Sequence, residues 1–104
     1  MTTQLQAELW TSWAAVLRSY ASLHGLNAPQ HGVVEVSEHE ITLRVGRRWM
    51  RFTAEEIVDS RGFTIKFRLN EDGTVSREGH ADEEMDLAAE EIARAMLQSL
   101  NPGP

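Results

Sequence analysis

Four histidines, at positions 24, 31, 39 and 80, are the first candidates for metal binding or proton transfer. A metal site read from sequence needs its ligands at a regular spacing, and no His-x-His, His-x-x-x-His or His-Glu-x-x-His pattern occurs. His39 stands between Glu38 and Glu40, but successive residues of a strand face opposite ways. Three of the four fall in expected loops or turns and His24 ends an expected helix, so surface histidines are the simpler reading. Carboxylates crowd positions 83, 84, 86, 90 and 91, all on the side away from a Met85–Ile92–Met96 stripe. That is the pattern of a solvated acidic face, whereas a carboxylate that moves protons needs partial burial to raise its pKa.

The chain has no cysteine, which removes a thiol nucleophile, a disulfide framework and a thiolate metal site. Its serines lack a Gly-x-Ser-x-Gly elbow. Its seven glycines are scattered, with no Gly-x-Gly-x-x-Gly or Walker-type phosphate loop. No catalytic, cofactor-binding or metal-ligating residue is therefore expected, and the chain reads as something other than an enzyme. One constellation does rise above this background. If Leu43, Met50 and Phe67 face a core, then Arg44, Trp49, Arg51, Lys66 and Arg68 share the opposite face of a sheet. Cations beside an exposed indole suit cation–π stacking, single-stranded bases or an acidic peptide segment.

The elements that would carry these residues are legible from period. Leu5, Leu9, Trp13, Val16, Tyr20 and Leu23 recur at spacings of three and four, which predicts a helix over 4–24 with Gly25 as its stop. Its apolar face, widened by Trp10, Ala14, Leu17 and Ala21, spans about half the cylinder, more than the ~100° stripe of an ordinary surface helix. A second subunit covering Trp10, Trp13 and Leu17 would account for that width, and a homodimer is the expectation.

Strict alternation follows at Val34–Val36, Ile41–Val45 and Met50–Phe52. Two-residue turns at Glu38-His39 and Gly46-Arg47 would pair Val34 with Leu43, Leu43 with Met50 and Ile41 with Phe52 on one face. Thr53-Ala54-Glu55-Glu56 has capping-box spacing, so residues 53–59 are expected to form a short helix, with a strand through Ile57-Val58 the competing reading. Phe63, Ile65, Phe67 and Leu69 alternate as a strand, and Asn70–Gly73 turns it back through residues 74–78. Met85, Ala88, Ala89, Ile92, Met96 and Leu100 predict a final helix over 82–100 capped by Asp82.

These elements predict one α+β domain over 1–104, with 101–104 a frayed tail. The architecture expected is two-layer: an antiparallel sheet of about five strands with the N- and C-terminal helices packed on one face, in the order α-β-β-β-(short α)-β-β-α. The element order resembles that of the small acidic secretion chaperones of the type III class, a likeness of outline that carries no sequence motif. The resemblance implies a dimer that holds extended segments of a client protein.

The net charge of −6 is uneven: arginines cluster at 44, 47, 48 and 51, and acids dominate after Asn70. That balance disfavours duplex nucleic acid, which needs a basic face, while the arginine cluster keeps a single-stranded nucleic-acid binder as the alternative. No basic residue precedes the first apolar positions and no apolar run approaches ~20 residues. Membrane and secretory readings are set aside, and a cytoplasmic, non-catalytic protein-binding module of adaptor or chaperone-like type, partner unknown, is the expectation.

Overall fold

Apolar spacing of three and four, uninterrupted by glycine or proline, winds Thr3–Gly25 into helix α1. The computed structural model describes residues 3–26 and 28–98. Seven strands follow: β1 (Gly32–Val36), β2 (Ile41–Val45), β3 (Arg48–Phe52), β4 (Glu56–Asp59), β5 (Thr64–Leu69), β6 (Thr74–Arg77) and β7 (Glu83–Glu84). Helix α2 spans Met85–Gln98. Each strand pairs antiparallel with its neighbours in the chain, so the sheet is one curled meander of seven strands. The expected α+β class holds, with seven strands in place of about five.

The register read from alternation is the one observed: Val34 faces Leu43, Leu43 faces Met50, and Ile41 faces Phe52. The β2–β3 turn needs a positive φ at its first central position, and Gly46 supplies it at 62°. A β-carbon there would also collide with the Gln30 side chain.

In place of the short helix expected over 53–59, the chain bends at Ala54-Glu55 and Glu56–Asp59 forms strand β4, the competing strand reading of Ile57-Val58. Thr53 Oγ1 does accept from the backbone N–H groups of Glu55 and Glu56, as a helix cap would. The chain then reverses, with Thr53 N–H donating to Glu56 O at 3.0 Å. Ile57 lies between Phe52 and Ile65, so β4 fills ladder positions on both sides that a helix would leave unpaired. Two glutamates at the end of the sheet shift the last boundary as well. Glu83 and Glu84 pair with Val75 and Thr74, so α2 begins at Met85. Asp82, expected to cap that helix, instead accepts from Ser76 Oγ at 2.9 Å. The expected helical Leu100 and the frayed tail at 101–104 lie outside the described residues. The element order therefore departs from the chaperone-like outline at its middle helix.

Both helices pack on one face of the sheet. Ile41, Leu43, Val45, Phe52, Ile57, Phe67 and Val75 form one core cluster with Trp13 and Leu17 of α1 and Ala88, Ala89, Ile92 and Met96 of α2. The Trp13 ring lies 5.5 Å from those of both Phe52 and Phe67, which are 5.4 Å from each other. The helices run parallel, because Tyr20 meets Asp86 and His24 meets Glu90, four residues further on in both.

This arrangement corrects the interface expected on α1. Trp13 and Leu17 are fully buried by the chain's own sheet and second helix, so no second subunit is needed to cover them. Trp10 is half-buried and donates its indole N–H to Ser37 O at 3.1 Å. Leu23, expected on the apolar face, is 55% exposed. Among the described residues, no helix is long and apolar enough to cross a membrane.

Candidate functional site

The face of the sheet turned away from the helices carries the cations and the indole. Strand parity puts them there: with Leu43, Met50 and Phe52 inward, Arg44, Trp49 and Arg51 must point outward. Arg44 stands directly across from Trp49, and Arg51 directly across from Thr42. The Arg51 guanidinium lies 4.7 Å from the centroid of the Trp49 ring, within cation–π range. Glu35 accepts from Arg44 Nε at 3.3 Å and Nη2 at 3.0 Å, which holds that guanidinium over β1. Arg51 Nε is sealed from solvent with no hydrogen-bond partner among the described residues, and Glu40 Oε2 lies 3.9 Å from it. The result is a half-buried indole roofed by the Arg51 guanidinium, with Arg44 opposite it in the ladder and bonded away to Glu35.

Backbone bonding fixes the base of this cluster. Trp49 N–H donates to Ser60 Oγ at 3.2 Å, and Ser60 N–H returns a bond to Trp49 O at 2.9 Å. Ser60 opens the β4–β5 turn, which builds a second aromatic–cation pair. Asp59 Oδ1 accepts the backbone N–H groups of Arg61 and Phe63, and Oδ2 accepts from the Arg61 side chain at 2.9 Å. The Arg61 guanidinium then sits 5.1 Å from the Phe63 ring centroid. Partial burial pushes the Asp59 carboxyl up, but the Arg61 side-chain bond, the two backbone donors and the Arg61 charge outweigh it, leaving the pKa below the ordinary aspartate value. Phe63, expected inward from its alternation with Ile65 and Phe67, is 64% exposed. Phe63 precedes β5 and belongs to the turn that Asp59 ties together, so the alternation of the strand does not extend to it.

No family model, curated protein or solved structure matches this chain.

Lys66 and Arg68 are separated from the indole. They lie on β5, two strands from β3, or about 10 Å across the sheet. There they line an open groove of ≈ 830 Å³ together with Glu55, Glu56, Ser76 and Glu78. Glu56 is directly opposite Lys66, and Arg68 Nε donates to Asn70 Oδ1 at 3.2 Å. The five residues grouped by sequence thus form one cluster of three and a separate pair, and acids stand among both.

The histidines take ordinary places with one exception. His24 Nε2 lies 2.7 Å from Glu90 Oε2 on the seam between the helices, and Arg94 approaches the same carboxylate at 3.8 Å. Tyr20 stacks on His24 and donates its hydroxyl to Asp86 at 3.0 Å. That bond, then burial and the charges of Asp86 and Glu90, raises the Tyr20 pKa above its ordinary value. Spacing of four on both helices was the available signal for this seam. Among the described residues no group of three or more His, Cys, Asp or Glu could hold a metal ion.

Proposed function

We propose that this chain is a small non-catalytic protein-binding module, adaptor or chaperone-like, that self-associates and takes its partner on the outer face of the sheet. The observation that carries this reading is the half-buried Trp49 with Arg51 stacked on it at 4.7 Å and Arg44 across the strand. A large aromatic held rigidly beside guanidinium groups is the surface chemistry of protein interfaces, where Trp and Arg anchor binding. The exposed Phe63, stacked on Arg61 with its backbone held by Asp59, adds a second aromatic–cation pair at the β4–β5 turn. The interleaved Glu35, Glu40, Glu56 and Glu78 favour a partner of mixed polarity over a polyanion.

The test is a Trp49→Ala, Arg51→Ala double variant compared with the wild-type chain in affinity capture read by mass spectrometry. Partners recovered by the wild type are expected to be lost, with a stability cost of about 1–2 kcal/mol from truncating the half-buried ring, short of unfolding the chain. Retention of every partner by a folded double variant would remove the outer face from the proposal.

Single-stranded nucleic acid is the second reading, favoured by Lys66 and Arg68 beside a groove that could follow a backbone. Retention of the chain on a polyanion column, lost as salt rises, would support it. Flow-through at low ionic strength would end it.

A further inference from the structure

The sheet has two edges, and they are built differently. β7 is two residues long and both are glutamates, a short charged edge of the kind that blocks pairing with another chain. β1 is five residues long, reads Gly-Val-Val-Glu-Val, and has no lysine, proline or bulge along its register with β2. Its ladder phase follows from Ser37 N–H donating to Glu40 O at 2.8 Å. Residues 33 and 35 must then turn their N–H and C=O groups towards β2, and Gly32, Val34 and Val36 turn theirs to the open side. Those open groups take no partner among the described residues. Val33 and Val36 remain 52% and 43% exposed beside them.

We infer that the β1 edge is where two copies of this chain pair, antiparallel about a two-fold axis at Val34, joining their sheets into one. This locates the self-association within the function proposed above and rests on that part of it. Open groups at 32, 34 and 36 place Val34 opposite Val34 and Gly32 opposite Val36 in hydrogen-bonded pairs. The helix-side row is then entirely apolar, with the smallest residue meeting a valine at each end. On the outer face Val33 meets the partner's Glu35. No like charges stand opposite one another there, because the one acid of the strand faces a valine across the axis and is already bonded by its own Arg44. A client strand could use the same open groups, but only a second copy makes this row self-complementary at every position.

Sedimentation of the wild-type chain, of Val33→Glu and of Val33→Glu with Glu35→Lys tests the assignment. The wild type is expected to be a dimer. Val33→Glu sets two pairs of carboxylates face to face across the axis and is expected to raise the dimer dissociation constant about tenfold or more. It leaves the melting temperature of the single chain unchanged, since position 33 is exposed and lies opposite Arg44. Adding Glu35→Lys turns both like-charge pairs into opposite-charge pairs and restores the dimer. A mixture of Val33→Cys and Glu35→Cys chains, with no other cysteine present, is expected to cross-link 33 to 35 between copies. A wild-type chain that stays monomeric at high concentration overturns both this inference and self-association, while leaving the Trp49 experiment to stand or fall alone. A dimer indifferent to Val33→Glu, or without the 33–35 cross-link, overturns the edge assignment only. A monomeric wild type whose client capture is lost in Val33→Glu gives the edge to a client strand, and overturns it too.

Discussion

Trp13 has no exposed surface, and its indole N–H finds no hydrogen-bond acceptor among the described residues. Two opposed effects meet in that one residue. Burial of the ring between Phe52 and Phe67 stabilises the fold by roughly 1.5–3 kcal/mol, while the unmade bond costs about 1–3 kcal/mol. Trp13→Ala removes the packing and opens a cavity, and is expected to cost about 3–5 kcal/mol in chemical denaturation. Trp13→Phe leaves a smaller void and deletes the orphan donor. Its expected cost is well under half that of the alanine change, and equal costs would show that the smaller ring recovers none of the packing between Phe52 and Phe67. Trp49 is the contrasting case. Its ring is only half-buried, and its backbone amide, not its indole, is what the fold uses.

At the scale of the element, side-chain bonding decided what alternation and capping patterns left open. Thr53 bonds the backbone of residues 55 and 56 whether a helix or a hairpin follows, so its capping box does not distinguish them. The open ladders of β3 and β5 do. The β4–β5 turn depends in the same way on Asp59, which ties residues 61 and 63 to itself. Its folded pKa lies below the unfolded value. The stability it contributes is therefore fully present above the unfolded pKa of about 4 and is lost as pH falls through the lower folded value. Asp59→Asn is expected to flatten that part of the acid limb in a pH series of denaturant melts. Asp59→Ala should cost about 1–2 kcal/mol near neutral pH through two unmade backbone bonds. An acid limb identical in wild type and Asp59→Asn would remove this carboxylate from the account.

Across the whole molecule, closure of the meander onto the helical layer passes through Arg77. It faces inward from β6 with only 7% of its side chain exposed, 2.6 Å from Glu83 on β7 and 3.4 Å from Glu91 on α2. One cation thereby joins the last two strands to the last helix. Arg77→Ala leaves two carboxylates without it, and is expected to cost about 2–3 kcal/mol, short of a fully buried pair because both acids reach solvent. Glu91→Gln, at the 43% exposed end, should cost less than about 1 kcal/mol. If both changes prove equally costly in urea melts, the pairing with Glu83 is not the main bond. Sequence offered Arg77 only as a stray cation in an acidic stretch. Its burial follows from strand parity, since Val75 and Arg77 share one side of β6.

Period alone sufficed for much of this protein: the two long helices, the β1–β2–β3 register and the outward parity of Arg44, Trp49 and Arg51 all follow from spacings of two, three and four residues. Such spacings are local, and a strand or helix cannot bury its apolar side without obeying them. What they could not convey is which neighbour covers each face and how far that cover extends. The tertiary structure sealed Trp13 and Leu17, left Phe63 and Leu23 outside, and turned Thr53–Asp59 into a bend and a hairpin arm. It also set Lys66 and Arg68 two strands from the indole, with acids among them. Those outcomes depend on contacts between residues distant in the chain, where burial and open ladder groups outweigh local preference.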